Sequence, residues 1–159
     1  MEKSLWGNLN ELMDGVKNPK ELLEEQSVHL IQLSNGLVRG DIRRISLNDS
    51  WKDFYKQWKV KSDFSFSFRI ISDYVKNYEY EICKITYGIK MYPLAISFGV
   101  DIAKELIGRF SIKNEDTIVV EDKEQFLEVL QEILSSKEVG QVLKGLLTIA
   151  KNEAQELPF

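Results

Sequence analysis

The sequence of 159 residues is poor in the residue types that most often carry chemistry. It has one cysteine, Cys83, one histidine, His29, and three prolines. A lone cysteine excludes an intramolecular disulfide and a cysteine-based zinc cage within one chain. A lone histidine leaves any metal site to be completed by carboxylates and gives a hydrolytic triad a single base. No run approaches the roughly 20 apolar residues of a membrane span; the segment 91–100 is half that and contains Pro93. The start, Met1-Glu2-Lys3-Ser4-Leu5-Trp6-Gly7-Asn8, has no apolar core of the secretory type, so a cytoplasmic protein with no membrane partner is expected. Asn48-Asp49-Ser50 fits a glycosylation sequon, which means nothing without a secretory signal.

Catalytic and cofactor motifs are missing as well. The spacing nearest to a phosphate-cradling Walker loop runs from Gly140 to Gly145, but Leu146 follows where lysine is required, and the stretch lies in an amphipathic helical pattern. There is no G-x-G-x-x-G and no G-x-S-x-G nucleophile elbow. No cofactor is therefore expected. His29, at the margin of a helical stripe, reads as a partly buried structural histidine, with a general base or metal ligand as the alternative. Cys83, among alternating strand residues, reads as packing, with a nucleophile as the alternative.

What is present is an ordinary globular composition: 43% hydrophobic, 11% aromatic and 29% charged, with a net charge of −4. That apolar content is too high for a disordered chain. No repeat or Pro/Gly/Ser linker interrupts it, so residues 1–159 read as one domain, with 1–17 as a lead-in bearing Leu5, Trp6, Leu9, Leu12 and Met13 at roughly helical spacing.

Asn18-Pro19 is a helix start, a capping side chain before a proline at the first position. Leu22, Leu23, Gln26, Leu30 and Leu33 follow as one stripe, and Asn35-Gly36 ends the helix. Strands are expected over 37–47, then where Phe64, Phe66, Phe68 and Ile70 alternate with Ser65, Ser67 and Arg69. In the next run Tyr78, Tyr80, Ile82, Lys84 and Thr86 are assigned to one face, and Glu79, Glu81, Cys83, Ile85 and Tyr87 to the other. Tyr92 to Phe98 and Thr117 to Val120 complete the strands, with a helix over 101–109 between them. Asp122 with Gln125, and Ser135 with Glu138, have capping-box spacing ahead of two amphipathic helices. The expected fold is α+β: an antiparallel meander of four to five strands, one face covered by an N-terminal helix and a C-terminal αα-hairpin.

Charge is distributed in two poles. Residues 115–138 hold eight acids against Lys123 and Lys137, a local charge of −6 that reads mainly as a solvated helix face. Between 39 and 61, Arg39, Arg43, Arg44, Lys52, Lys56, Lys59 and Lys61 face only three aspartates, a local charge of +4. Trp51, Phe54, Tyr55 and Trp58 recur through it at i, i+3, i+4, i+7. They form either an aromatic stripe docked on the sheet or a platform for an anionic planar ligand or a protein partner. Whole-chain acidity argues against extended nucleic-acid binding. Tyr78 and Tyr80 add contact area of the kind found at binding faces, though tyrosine is also ordinary in sheets. The candidate binding residues are thus Arg39, Arg43, Arg44, Trp51, Tyr55, Trp58, Tyr78 and Tyr80.

The order of a capped helix, an Asn-Gly-Leu-Val-Arg-Gly strand, aromatic strands, Asn-Tyr-x-Tyr, a Tyr-Pro strand and an acidic helix with Ser-Ser before a second helix resembles small standalone bacterial or phage proteins of unassigned function. The resemblance is one of layout over most of the chain and implies no catalytic residues. The expected function is a non-enzymatic binding module, an inhibitor or immunity-type protein that masks a partner. Sequestration of a small anionic nucleotide-like ligand is the alternative, and an enzyme using His29 or Cys83 the second alternative. A homodimer, through edge strands or the C-terminal helices, is left open.

Overall fold

Helix ends follow from local hydrogen bonding in the computed structural model, which describes residues 2–156. Asn18 caps α2 (Pro19–Leu33) in a reciprocal box: its side chain accepts from the Glu21 amide at 3.0 Å, and the Glu21 carboxylate accepts from the Asn18 amide at 3.4 Å. Past its end, Asn35 and Gly36 take positive φ, and the Gly36 amide returns to the Ile31 carbonyl at 2.9 Å. Ahead of it, α1 (Leu9–Met13) is capped by Asn8 and buries no residue. The stripe expected on α2 is shorter than its spacing implied. Leu22 and Leu23 are buried and Leu30 is half-buried, but Leu33, the last helical residue, is 84% exposed.

The fold is α+β. The sheet runs β1 (Arg39–Arg44), β2 (Phe64–Ile71), β3 (Glu79–Tyr87), β4 (Leu94–Phe98) and β5 (Thr117–Val120), antiparallel and in chain order. Between β1 and β2 lies α3 (Asp49–Lys56); between β4 and β5 lies α4 (Val100–Leu106); α5 (Lys123–Leu134) and α6 (Lys137–Glu156) close the chain. One face of the sheet carries the main core. Phe68 and Ile70 of β2, Ile85 of β3, and Leu94 and Ile96 of β4 meet Leu23, Ile102, Phe126 and Ile133 from three helices. Burying each such side chain contributes roughly 1.5–3 kcal/mol, so this layer dominates stability.

The pairing of β2 with β3 departs from the expected alternation. Phe68 faces Cys83 while Arg69 faces Glu81, so Ile82 is an extra residue on β3, a β-bulge. The bulge resets the phase: Tyr80 and Ile82 join Cys83, Ile85 and Tyr87 on the core side, and Glu79 and Glu81 share the opposite face with Lys84 and Thr86. A strict period of two had placed Cys83, Ile85 and Tyr87 with the two glutamates.

The second sheet face is not bare. Tyr55, Val60 and Ala95, with Leu47, Phe54, Trp58 and Val119 around them, form a separate small cluster where α3 rests on β4 and β5. Helices therefore cover one face throughout and the other at one end. The αα-hairpin forms as expected, with its second cap one residue later. Ser135 terminates α5 by donating to the Gln131 carbonyl, and Ser136 accepts from the Val139 amide at 3.3 Å. The first two amides of α6 are held by a distant carboxylate, Glu105 of α4, at 2.7 and 3.1 Å. Those bonds keep the Glu105 carboxyl below its ordinary range.

Gly40 sets how closely α2 approaches β1. Ser27 donates to the Gly40 carbonyl at 2.8 Å, and a Cβ at position 40 would stand 2.7 Å from Phe68 Cε1 and 3.0 Å from Ser27 Cβ. Gly40→Ala is expected to destabilise the protein by about 1–3 kcal/mol through overpacking. Urea unfolding checks it, and an unchanged midpoint would remove the constraint.

Candidate functional site

The β1 arginines do not share a surface. Arg39 and Arg43 point away from the main core, whereas Arg44 pairs with Phe66 on the core side. Arg39 Nη2 lies 3.3 Å from Asp73 Oδ1 at one end of the strand. Arg44 sits at the rim, its guanidinium carbon 5.3 Å from the Phe64 ring centre.

Arg43 belongs to a charge ladder across three strands. Its Nε donates to Asp41 Oδ2 at 2.6 Å, and its Nη2 and Nη1 donate to Glu79 Oε1 and Oε2 at 2.5 and 3.2 Å. Arg69 Nη1 reaches the same Glu79 at 2.6 Å, and its Nε donates to Ser67 Oγ at 3.0 Å. The buried Ser67 hydroxyl in turn donates to Glu81 Oε2 at 2.6 Å. Hydrogen bonds from Arg43, then Arg69, hold the Glu79 carboxyl below its ordinary range, and Glu79, then Asp41, raise the Arg43 guanidinium. Sequence reasoning gave no role to Glu79 or Arg69. Their link to Arg43 spans 36 and 26 residues of chain, and no local pattern announces it.

The aromatic stripe of α3 is divided between the sheet and solvent. Tyr55 is 5% exposed, with its hydroxyl 3.4 Å from Ser97 Oγ; Phe54 and Trp58 are half-buried, in edge contact at 4.7 Å; Trp51 is 45% exposed. Tyr55 is thus a docking residue of the helix and is not presented at the surface. Beside it an open depression of about 820 Å³ is rimmed by Lys52, Lys56, Lys59 and Lys61, with Asp53 and Asp63 among its walls. Lys56 pairs with Asp53 at 3.3 Å. Among the described residues, no carboxylate lies within ion-pairing distance of Lys52, Lys59 or Lys61.

A second concavity, about 270 Å³, opens where the start of α2 meets the ends of β2 and β3. Phe64, Phe66 and Tyr87 floor it, with Lys20 and Arg44 at its edge; Lys20 Nζ stands 5.5 Å from the Phe66 ring centre and 3.4 Å from Glu24. Burial pushes the Tyr87 hydroxyl upward. Lys20 was not singled out from sequence, because its nearness to the aromatic strands is tertiary.

Tyr78 and Tyr80 stand apart from both places. Tyr78 is exposed, and Tyr80 is half-buried on the core side, its hydroxyl 3.5 Å from Glu138 and pushed up to about 12 by burial. Tyr80 lies seven positions from Tyr87 along β3, about 20 Å at the usual strand rise. His29 is exposed on α2, against the expectation of partial burial, because it falls outside the arc of α2 that meets the sheet. Cys83 is buried, and desolvation pushes its thiol up to about 12, which disfavours the thiolate. Among the described residues, no group of three potential ligands is placed to hold a metal ion, and no helix is long and apolar enough to cross a membrane. No family model, no curated protein and no solved structure matches this chain.

The ladder has a pH signature. With the folded-state carboxyl of Glu79 below its ordinary 4.5, its contribution is complete above that pH and is lost as pH falls through the folded value. Thermal melts from pH 7 to 2.5 should show Glu79→Gln less stable than wild type at neutral pH, with the gap closing below pH 4.5. Equal melting temperatures at pH 7 would mean the ladder contributes nothing.

Proposed function

We propose that this chain is a non-enzymatic binding module that docks an acidic protein partner on the α3 face and masks it, as an inhibitor or immunity-type protein does. The observation that carries the reading is an asymmetry of pairing. Arg39 and Arg43 are engaged by the chain's own carboxylates, while among the described residues no carboxylate lies within ion-pairing distance of Lys52, Lys59 or Lys61, which share one depression with Asp49, Asp53 and Asp63 beside the half-exposed Trp51. Unpaired lysines give long-range attraction and partner selectivity, and an exposed tryptophan supplies an anchor that buries large area. Action in the cytoplasm belongs to the same reading, since a single buried cysteine fits a reducing compartment.

A pull-down from the native host tests it. Wild type should retain a partner released by raised salt, and Lys52→Glu/Lys59→Glu/Lys61→Glu should reduce retention at least tenfold with an unchanged melting temperature. Capture that survives both the triple reversal and Trp51→Ala sinks the assignment.

The second reading, sequestration of a small anionic nucleotide-like ligand, is favoured by the Phe64–Phe66–Tyr87 floor with Arg44 and Lys20 at its edge. It predicts a melting temperature that climbs with concentration of a nucleotide from a panel and an effect lost in Arg44→Ala. The masking reading predicts no response to any of them.

A further inference from the structure

Among the concavities of the described residues, charge sets one apart. The depression beside α3 holds Asp49, Asp53 and Asp63 among its lysines, two others place a glutamate beside their cations, and the groove between α2 and α5 carries no charge. The cleft at the start of α2 is lined by Lys20 and Arg44 and by no carboxylate. Both cationic ends stand over its floor, Lys20 Nζ 5.5 Å from the Phe66 ring centre and the Arg44 guanidinium carbon 5.3 Å from that of Phe64. The Tyr87 ring centre lies 5.5 Å from Phe64 and 6.1 Å from Phe66, so the three rings make one continuous apolar floor. Neither cation is fully engaged. Arg44 Nη2 donates to the Asp63 carbonyl at 3.4 Å, and Lys20 shares its charge with the exposed Glu24. The far wall is the turn 88–91, which the chain itself holds in place. Asp63 Oδ2 accepts from the Ile89 amide at 3.0 Å, and the Gly88 carbonyl accepts from the Met91 amide at 2.8 Å. On that wall Ile89 is 74% exposed.

We infer that this cleft binds a small aromatic carboxylate, its ring on the Phe64–Phe66–Tyr87 floor beside Ile89 and its carboxylate between Lys20 and Arg44. The inference rests on the sequestration reading of the same cleft and narrows its ligand class. Size is the first reason: about 270 Å³ falls just below the roughly 300–1,000 Å³ of sites that enclose drug-sized ligands. A single ring with its acidic group fits, whereas a nucleotide would leave its base or its sugar outside. Charge is the second. One of the two cations is shared with Glu24, which leaves close to one free positive charge and favours a monoanion over a phosphate dianion. The Arg44 fork matches a carboxylate in two parallel hydrogen bonds. The third reason is the floor, because an inorganic anion would leave three rings and Ile89 without an apolar partner. A wall already held in place lowers the ordering that binding requires.

Titration of the full chain with benzoate, followed by NMR, should shift Phe64, Phe66, Tyr87 and Ile89 along one saturating curve, with a dissociation constant on the order of 1 mM or tighter for so small a ligand. Benzamide keeps the ring without the charge, and acetate the charge without the ring; each should bind at least tenfold more weakly. Lys20→Gln/Arg44→Gln changes two side chains outside the core and should weaken benzoate at least tenfold with the melting temperature retained. Benzamide or acetate as tight as benzoate overturns the inference, as does benzoate binding that survives the double substitution or shifts residues away from the cleft. A nucleotide that binds where benzoate does not also overturns it, and leaves the sequestration reading standing. A cleft that answers to neither removes both.

Discussion

One extra residue in β3 decides what the sheet presents to solvent. With Ile82 and Cys83 both turned toward the core, Glu79 and Glu81 fall on the face where Arg43 and Arg69 lie. Without that bulge, the two glutamates would share a face with Ile85 and Tyr87, and two carboxylates would enter an apolar layer at a cost of several kcal/mol each. The bulge therefore does two things at once. It keeps Glu79 and Glu81 out of the apolar layer between β2 and β4, and it places Glu79 where it neutralises Arg43 of β1 and Arg69 of β2.

That neutralisation reshapes the electrostatics of the positive pole. A guanidinium bound by two carboxylates projects little field outward, and pairs as exposed as these contribute modestly to stability. Their main consequence is subtractive: of the cations between 39 and 61, those with no carboxylate in ion-pairing distance among the described residues are Arg44, Lys52, Lys59 and Lys61, and the three lysines share their depression with Asp49, Asp53 and Asp63. Tyr55 of α3 and Val60 just after it dock onto Ala95, a firm base for those lysines, since the aromatic residues of this segment also pack on one another.

Much of this was legible along the chain, for identifiable reasons. Phe64 to Ile70 could only be a strand, because serine and arginine between the phenylalanines leave no helical stripe. Asn18-Pro19 and Asp122 announced helix starts through side chains that accept backbone amides nearby. The bulge was not legible. Ile82 and Cys83 are both apolar, so Tyr80-Ile82 and Cys83-Ile85-Tyr87 each read as a valid inward phase, and only pairing to Phe68 and Arg69 shows that both hold on either side of a slip. Nor could spacing tell which face α3 would choose, or that Glu105 would satisfy the start of α6. Candidate residues fared according to how local their partners are. The half-exposed position of Trp51 follows from the stripe, whereas the pairing of Arg43 depends on a residue 36 positions away.

A chain that pairs Arg39, Arg43, Arg69 and Arg109 with its own carboxylates but leaves several lysines and a leucine–tryptophan stripe facing water has sorted much of its surface by cost. Arginine forks held by two carboxylates are ordered, and ordering them during folding means that no partner has to do so later. Lysines stay hydrated and mobile until an acidic surface meets them, which suits fast, salt-sensitive encounter more than tight fit. The apolar arm is the opposite case: leaving Leu5, Trp6, Leu9 and Leu12 in water is unfavourable at every moment.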